Sequence, residues 1–272
     1  MCAAETSLAD LRRAIDAVDD QMHELIMRRA ELTQGVKAAK ARADNHVYLR
    51  FGREAQILRR LAAGHDGNFP LGAVVRIWRE LLCAQIPIQG PFRIAVASRG
   101  DLGLWDTARD HFGSDTAMTA CDDADAALDA VAAGRQTLAV LPAPAGDPGW
   151  WKRLAGAPGG PRVLLKLPFV AMERRDAPAT PAYVAGLVPV EESGDDVTVL
   201  AAAGDGDLAA ALAAQDLEVR ASWAWPGLAV AEVAGFLAAD DGRVRALGET
   251  LGPVRNLGGY PTPLPGANGG RS

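Results

Sequence analysis

Between Leu8 and Ala39 the apolar residues recur in alternating steps of three and four: Leu8, Leu11, Ile15, Val18, Met22 and Leu25, then Leu32, Val36 and Ala39. That spacing predicts one long helix. Ser7 stands at the N-cap position with Asp10 three residues on, a relative of the capping box, and no Gly or Pro intervenes before Gly35. A single helical glycine costs about 1 kcal/mol and does not stop such a helix. Helical from Ser7 to about residue 43, the segment is about 54 Å long, longer than a small domain is wide. It needs a partner along its length.

Arg29 occupies the seam position between Leu25 and Leu32, where the repeat calls for an apolar side chain. A lone buried guanidinium is strongly unfavourable, so an anion should meet it: an acidic side chain of the protein, or a ligand. The alternative is an arginine that reaches water past a loose seam. After a polar break at Asp44-Asn45-His46, a second helical pattern runs through Phe51, Glu54, Ile57, Leu58 and Leu61 to Gly64, with Glu54 on its apolar face. A third begins near Asn68-Phe69-Pro70 and turns Leu71, Val74, Trp78, Leu81 and Leu82 inward, with Gln85 on the same stripe and Gln89 just beyond Pro87. Arg29, Glu54 and Gln85 on inward faces, with Lys40 beside the seam, read as the lining of a polar pocket in a helical bundle. A hydroxylated dicarboxylate suits it. A coiled-coil scaffold, the non-enzymatic reading of the heptads, leaves those three residues unexplained.

Charge sharpens the same point. Residues 1–90 hold 13 Lys and Arg against 11 Asp and Glu, and the remainder 15 against 23, so a front of +2 precedes a rear of −8. The front lacks the basic stripe with interleaved aromatics of a nucleic-acid binder. With 49% hydrophobic residues and no apolar run near the roughly 20 residues that span a bilayer, the chain reads as globular and soluble, with no membrane association. Met1-Cys2-Ala3-Ala4-Glu5 lacks a secretory pattern, and a cytoplasmic location is expected. Cys2, Cys83 and Cys121 form neither a CxxC pair nor a disulfide framework, and His23, His46, His65 and His111 lack metal-ligand spacing. Neither a metal nor a cofactor is expected.

Residues 8–90 resemble the all-helical chorismate mutases, especially those fused ahead of prephenate dehydratase. The likeness rests on Leu11-Arg12-Arg13-Ala14-Ile15-Asp16-Ala17-Val18-Asp19, Arg28-Arg29-Ala30-Glu31-Leu32, Val36-Lys37-Ala38-Ala39-Lys40, Arg53-Glu54 and Gln89, in that order and spacing. It implies an intertwined homodimer that rearranges chorismate to prephenate without nucleophile, metal or cofactor. It implies that Arg12, from the other subunit, and Arg29 hold the substrate carboxylates. Lys40 and Gln89 would then donate to the ether oxygen, Glu54 would accept from the ring hydroxyl, and Arg53 would support the pocket. Two positions depart from the pattern. Arg50 replaces an aspartate common in relatives, reversing a charge near the substrate or pointing to water, and Gln85 replaces a serine while still able to bond a carboxylate. Those departures keep a second reading open: a catalytically weak helical regulator of another chorismate-pathway enzyme.

Behind the helices the pattern changes. Pro87 and Gly90-Pro91 end the bundle, and Arg93 to Ala97 opens an α/β region with helices around Trp105 to Phe112 and Ala124 to Ala133 and a strand at Thr137 to Leu141. Ile94-Ala95-Val96, His111-Phe112-Gly113 and Val140-Leu141-Pro142 resemble a shortened prephenate dehydratase lobe. The glycine-proline-rich opening is replaced by Ser98-Arg99-Gly100, the acid-amide pair by Pro144-Ala145, and the Thr-Arg-Phe motif by Val184-Ala185-Gly186. No dehydratase activity is expected.

From Asp196 a β-α-β-β-α-β order follows: strand Val197 to Ala202, helix Leu208 to Ala214, strands around Glu218 to Trp223 and Leu228 to Phe236, helix Arg243 to Leu251, and a strand at Val254. The ending Val254-Arg255-Asn256-Leu257-Gly258-Gly259-Tyr260-Pro261 resembles the ACT regulatory domain. Gly206 and Leu208 match its first ligand loop, but Trp223-Ala224-Trp225-Pro226 keeps only the proline of its second. A packing role is expected there rather than phenylalanine sensing. The chain thus divides as a multidomain protein: 1–90 all-α mutase, 91–192 truncated α/β dehydratase-like region, 193–265 α+β ferredoxin-like (ACT-like) domain, and 266–272 a disordered tail. Gly146 to Gly149 and Gly156 to Pro161 read as loops.

Overall fold

The computed structural model describes residues 7–43, 47–144, 148–170, 179–238 and 241–265. The polar break expected at 44–46, part of the loop at 146–149 and the tail at 266–272 lie outside them.

The long helix forms as its periodicity requires. Helix α1 spans Leu8–Arg42, capped by Ser7 in a full capping box: the Ser7 hydroxyl accepts from the Asp10 N–H while the Asp10 carboxylate accepts from the Ser7 N–H. None of its 35 residues is buried. Helix α2 (Phe51–Ala63) ends at Gly64, and α3 (Leu71–Gln89) starts behind Pro70, whose ring fixes a suitable φ. Pro87 does not end α3, contrary to expectation. The helix runs on to Gln89, with Pro87 carried on its exposed side in the last turn, where its ring costs the helix one hydrogen bond. Gln85 and Gln89 therefore lie one turn apart on a single helical face.

The deepest stripe of α3 also differs from the expected one. Val75, Arg79, Leu82, Cys83 and Ile86 are buried, whereas Leu71, Val74, Trp78 and Leu81 are only half-buried. The reason is the partner surface. Helices α2 and α3 pack Leu49, Phe51, Ala55, Leu58, Val75, Cys83 and Ile86 into one apolar core with residues of the α/β region, including Ile94, Leu104, Phe112 and Leu138.

That region continues as strand β1 (Arg93–Val96), α4 (Leu102–Phe112), β2 (Ala117–Ala120), α5 (Ala124–Ala132), β3 (Leu138–Pro142), α6 (Trp150–Gly156), β4 (Arg162–Leu167) and β5 (Ala182–Gly186). The expected β-α-β-β-α-β order follows: β6 (Asp196–Ala203), α7 (Leu208–Ala213), β7 (Val219–Trp225), β8 (Leu228–Ala234), α8 (Gly242–Leu251) and β9 (Val254–Pro261). All nine strands form one sheet, ordered β2-β1-β3-β5-β4-β9-β6-β8-β7. Its two parts meet where β4 pairs parallel with β9 at Val163 and Gly258. Gly258 has φ +123°, and a Cβ there would stand 2.2 Å from the Val163 carbonyl oxygen. Only glycine permits that approach.

The architecture is a helical front followed by a mixed α/β sheet region. Among the described residues, no helix is long and apolar enough to cross a membrane, and no group of His, Cys, Asp and Glu is placed to hold a metal ion.

Candidate active site

Where the C-terminal half of α1 passes α2 and α3, a cleft of about 310 Å³ opens. Arg29, Lys40, Arg53, Glu54, Gln85 and Gln89 all line it, so six of the seven expected site residues converge. The seventh, Arg12, is exposed on α1 and stands about 26 Å along the helix axis from Arg29. It does not line this cleft.

Polar contacts hold α1 to its neighbours here. Arg29 Nη1 donates to Gln85 Oε1, and the Thr33 hydroxyl donates to the same oxygen at 2.8 Å. Lys40 Nζ donates to the Val47 carbonyl at 2.7 Å and reaches Gln89 Oε1 at 3.4 Å, while Lys37 Nζ donates to the Ile88 carbonyl at 2.7 Å. Every acceptor in this set is neutral. Burial pulls the Arg29 guanidinium below its ordinary value, with the Glu54 charge acting against that. Burial likewise lowers Lys40, helped by the nearby positive charge of Arg50 and opposed by Glu191. Both cations are thus partly withdrawn from water while their bonds among the described residues go to neutral oxygens.

The one carboxylate lining the cleft is already engaged. Glu54 Oε2 accepts from Arg79 Nη1 at 2.7 Å, with the two side chains 12% and 5% exposed. Arg79 is held in turn by the His111 carbonyl, which accepts from its Nε at 2.7 Å, and its Nη2 lies 3.4 Å from Cys83 Sγ. The sequence reading did not single out Arg79. The signal was present: it sits between Val75 and Cys83 on the buried stripe, a charge at an apolar position just as Arg29 is. Burial pushes the Cys83 thiol up to about 11, so it remains a neutral packing group.

Two further arginines mark the rim. Arg53 is exposed, with Gln56 Oε1 at 3.5 Å. Arg50 does not simply point to water: its Nε donates to Glu191 Oε1 at 2.7 Å, which ties the cleft to the segment before β6 and answers the reversed charge from within the chain.

Behind the cleft, Val184-Ala185-Gly186 lies in β5, where all five residues are buried and none carries a hydroxyl in that triplet. The ACT-like loop residue Leu208 is buried at the start of α7. Trp223 stacks on Trp151 of α6 at 6.3 Å between ring centroids.

Residues 11–89 match the family model described as Chorismate mutase type II, which gives the helical front its class: a chorismate mutase domain. The particular relatives carry the same description. A bifunctional chorismate mutase/prephenate dehydratase of Pseudomonas aeruginosa is 28% identical over 144 residues, covering 52% of this chain and 40% of that protein. One of Aquifex aeolicus is 25% identical over 118 residues, covering 42% and 32%. The chain thus spans about two fifths or less of the length of these curated relatives. Solved structures with a related arrangement include prephenate dehydratase from Streptococcus mutans (TM-score 0.43, 13% identity, 62% of this chain and 98% of that one). GqqA, described as a novel type of quorum quenching acylase, is another (TM-score 0.45, 17% identity, 62% and 94%).

Proposed function

We propose that the helical front is a working chorismate mutase whose cleft is completed by Arg12 from a second copy of the chain. The observation that carries this reading is the unanswered positive charge. Among the described residues, Arg29 and Lys40 are partly desolvated yet bonded only to amide and carbonyl oxygens, while the charge of Glu54 is taken by Arg79. A dicarboxylate supplies what is missing. Arg29 takes one carboxylate through a charge-assisted bond, with Gln85 turning its amide N–H to the same group, and Arg12 of the partner copy takes the other.

In the rearrangement, the ether carbon–oxygen bond breaks as a carbon–carbon bond forms within one molecule, and no proton leaves. In this reading Lys40 Nζ and, with its amide turned, Gln89 donate to that oxygen as negative charge grows on it, and fixed donors of this kind contribute about 3–4 kcal/mol each. Glu54, oriented by Arg79, accepts from the ring hydroxyl. The rear contributes neither dehydration chemistry nor amino-acid sensing: the triplet in β5 offers no hydroxyl, and Trp223 of β7 stacks on Trp151. We place the protein in the cytoplasm.

Chorismate absorbance, followed with the purified full chain, tests this. Wild type should turn over; Arg29→Ala and Gln89→Ala should each lose about two to three orders of magnitude in kcat/KM. A folded wild type without turnover rejects the enzyme reading in favour of a non-catalytic partner of another enzyme. Phenylpyruvate should not form from prephenate.

A further inference from the structure

A second positively charged cleft lies at the seam where β4 meets β9. It encloses about 420 Å³ between the turn after α6 and the start of β9, and Arg162 and Arg255 both line it. Arg162 is held in place: its Nη2 donates to Asn256 Oδ1 at 2.9 Å. That amide cannot swing away, because its Nδ2 donates to the Leu237 carbonyl and its Oδ1 also accepts from the Gly258 N–H, each at 2.9 Å.

The guanidinium so oriented is half-buried, burial alone pulls it below its ordinary value, and it meets no carboxylate among the described residues. Arg255 likewise has no ion-pair partner among them. In a region carrying a net charge of −8, two unanswered arginines on one cleft are not a by-product of basic composition. A desolvated, pre-aimed cation is costly to fold unless something anionic visits it. The remaining walls, Leu154, Pro158, Pro161 and Leu257, are apolar.

We propose that this cleft binds a small organic carboxylate with an apolar body, its carboxylate on Arg162 and Arg255 and its body against Leu154 and Leu257. Such a ligand would touch both β4 and β9, the strand pair through which the two parts of the sheet meet.

Calorimetric titration of the full chain with phenylacetate tests the site, with benzyl alcohol as the uncharged isostere and inorganic phosphate as the anion without an apolar body. Saturable phenylacetate binding is expected. Arg162→Gln should weaken it at least tenfold, and Arg255→Gln, an exposed change that leaves folding alone, several-fold. Benzyl alcohol and phosphate should each bind at least tenfold more weakly than phenylacetate. Arg29→Ala should leave phenylacetate binding intact. No binding, binding indifferent to both Arg162→Gln and Arg255→Gln, or binding lost in Arg29→Ala would overturn the proposal. Phosphate binding as tightly as phenylacetate would overturn the carboxylate assignment.

Discussion

Helix α1 buries none of its 35 residues, whereas β5 buries every one of its five. In the rear the central strands are buried, and the buried Glu232 carboxylate is answered inside the chain, accepting from Lys166 Nζ at 2.8 Å and from the Tyr183 hydroxyl at 2.5 Å. The front is unfinished in both respects. Leu8, Leu11, Ile15, Val18, Met22 and Leu25 form an open apolar stripe, each about half exposed or more. Fully burying one such side chain contributes about 1.5–3 kcal/mol, so a second copy laid along α1 has ample driving force even after the costs of association. The same chain thus holds a half that buries its own apolar strands and a half whose apolar stripe stays open, the face on which the proposed second copy would lie. The cleft lies within the front, with Arg29 and Lys40 on α1 and the anchor of Glu54, Arg79, on α3, whose Nε reaches across to the His111 carbonyl of the rear.

The comparison breaks most visibly at the stripe. Replacing Ile15 and Met22 together by Asp should reduce the mass seen by light scattering to that of one 28.5 kDa chain, and chorismate turnover should fall more than a hundredfold. Full activity from that monomer would mean that the cleft is complete in one copy.

A smaller effect is expected where the two halves touch. Arg79→Met strands the Glu54 carboxylate in the core, and urea unfolding should report a loss of about 3–5 kcal/mol. Adding Glu54→Gln should restore part of that stability but not the turnover. Equal losses in the single and double variants would show that Arg79 serves packing alone.

The smallest effect belongs to the rear. His111 is buried with Nε2 unpartnered, and burial, reinforced by the Arg79 charge, holds its pKa well below the ordinary value of 6.5. The unfolded chain therefore binds a proton that the folded chain refuses. The contribution is fully present above about pH 6.5 and is lost as the pH falls below it, with a slope of at most about 1.4 kcal/mol per pH unit. His111→Gln should flatten that acid limb, and an unchanged slope would assign it to other groups.

The sequence carried the front further than the rear, for physical reasons. An unbroken run of threes and fours admits only one element, and Arg29, Glu54 and Gln85 are legible as polar side chains on apolar faces, whereas Gln89 is singled out by the family resemblance alone. Arg79 breaks the stripe of α3 in the same way. The inward face read from the pattern, Leu71, Val74, Trp78, Leu81 and Leu82, leaves it out, whereas packing on the rear draws Val75, Cys83 and Ile86 deepest together with Leu82. Pro87 was read as a terminator although an exposed proline can be carried in a last turn.

In the rear, the β-α-β-β-α-β order was readable because each strand is long and bounded by turns. Strand β2 was not, since Ala117–Ala120 is a short, mostly exposed edge. The junction of β4 with β9 was not legible either. It joins residues nearly a hundred positions apart through one register pair, and no local pattern encodes it.

The central claim is that each cleft draws Arg29 from one copy and Arg12 from another, and subunit mixing tests it directly. Arg12→Ala and Arg29→Ala should each be almost inactive alone. Unfolded together in equal amounts and refolded, they should form mixed dimers in which one cleft carries both changes and the other neither, restoring about a quarter of wild-type turnover. A mixture as inactive as its components would contradict the shared site.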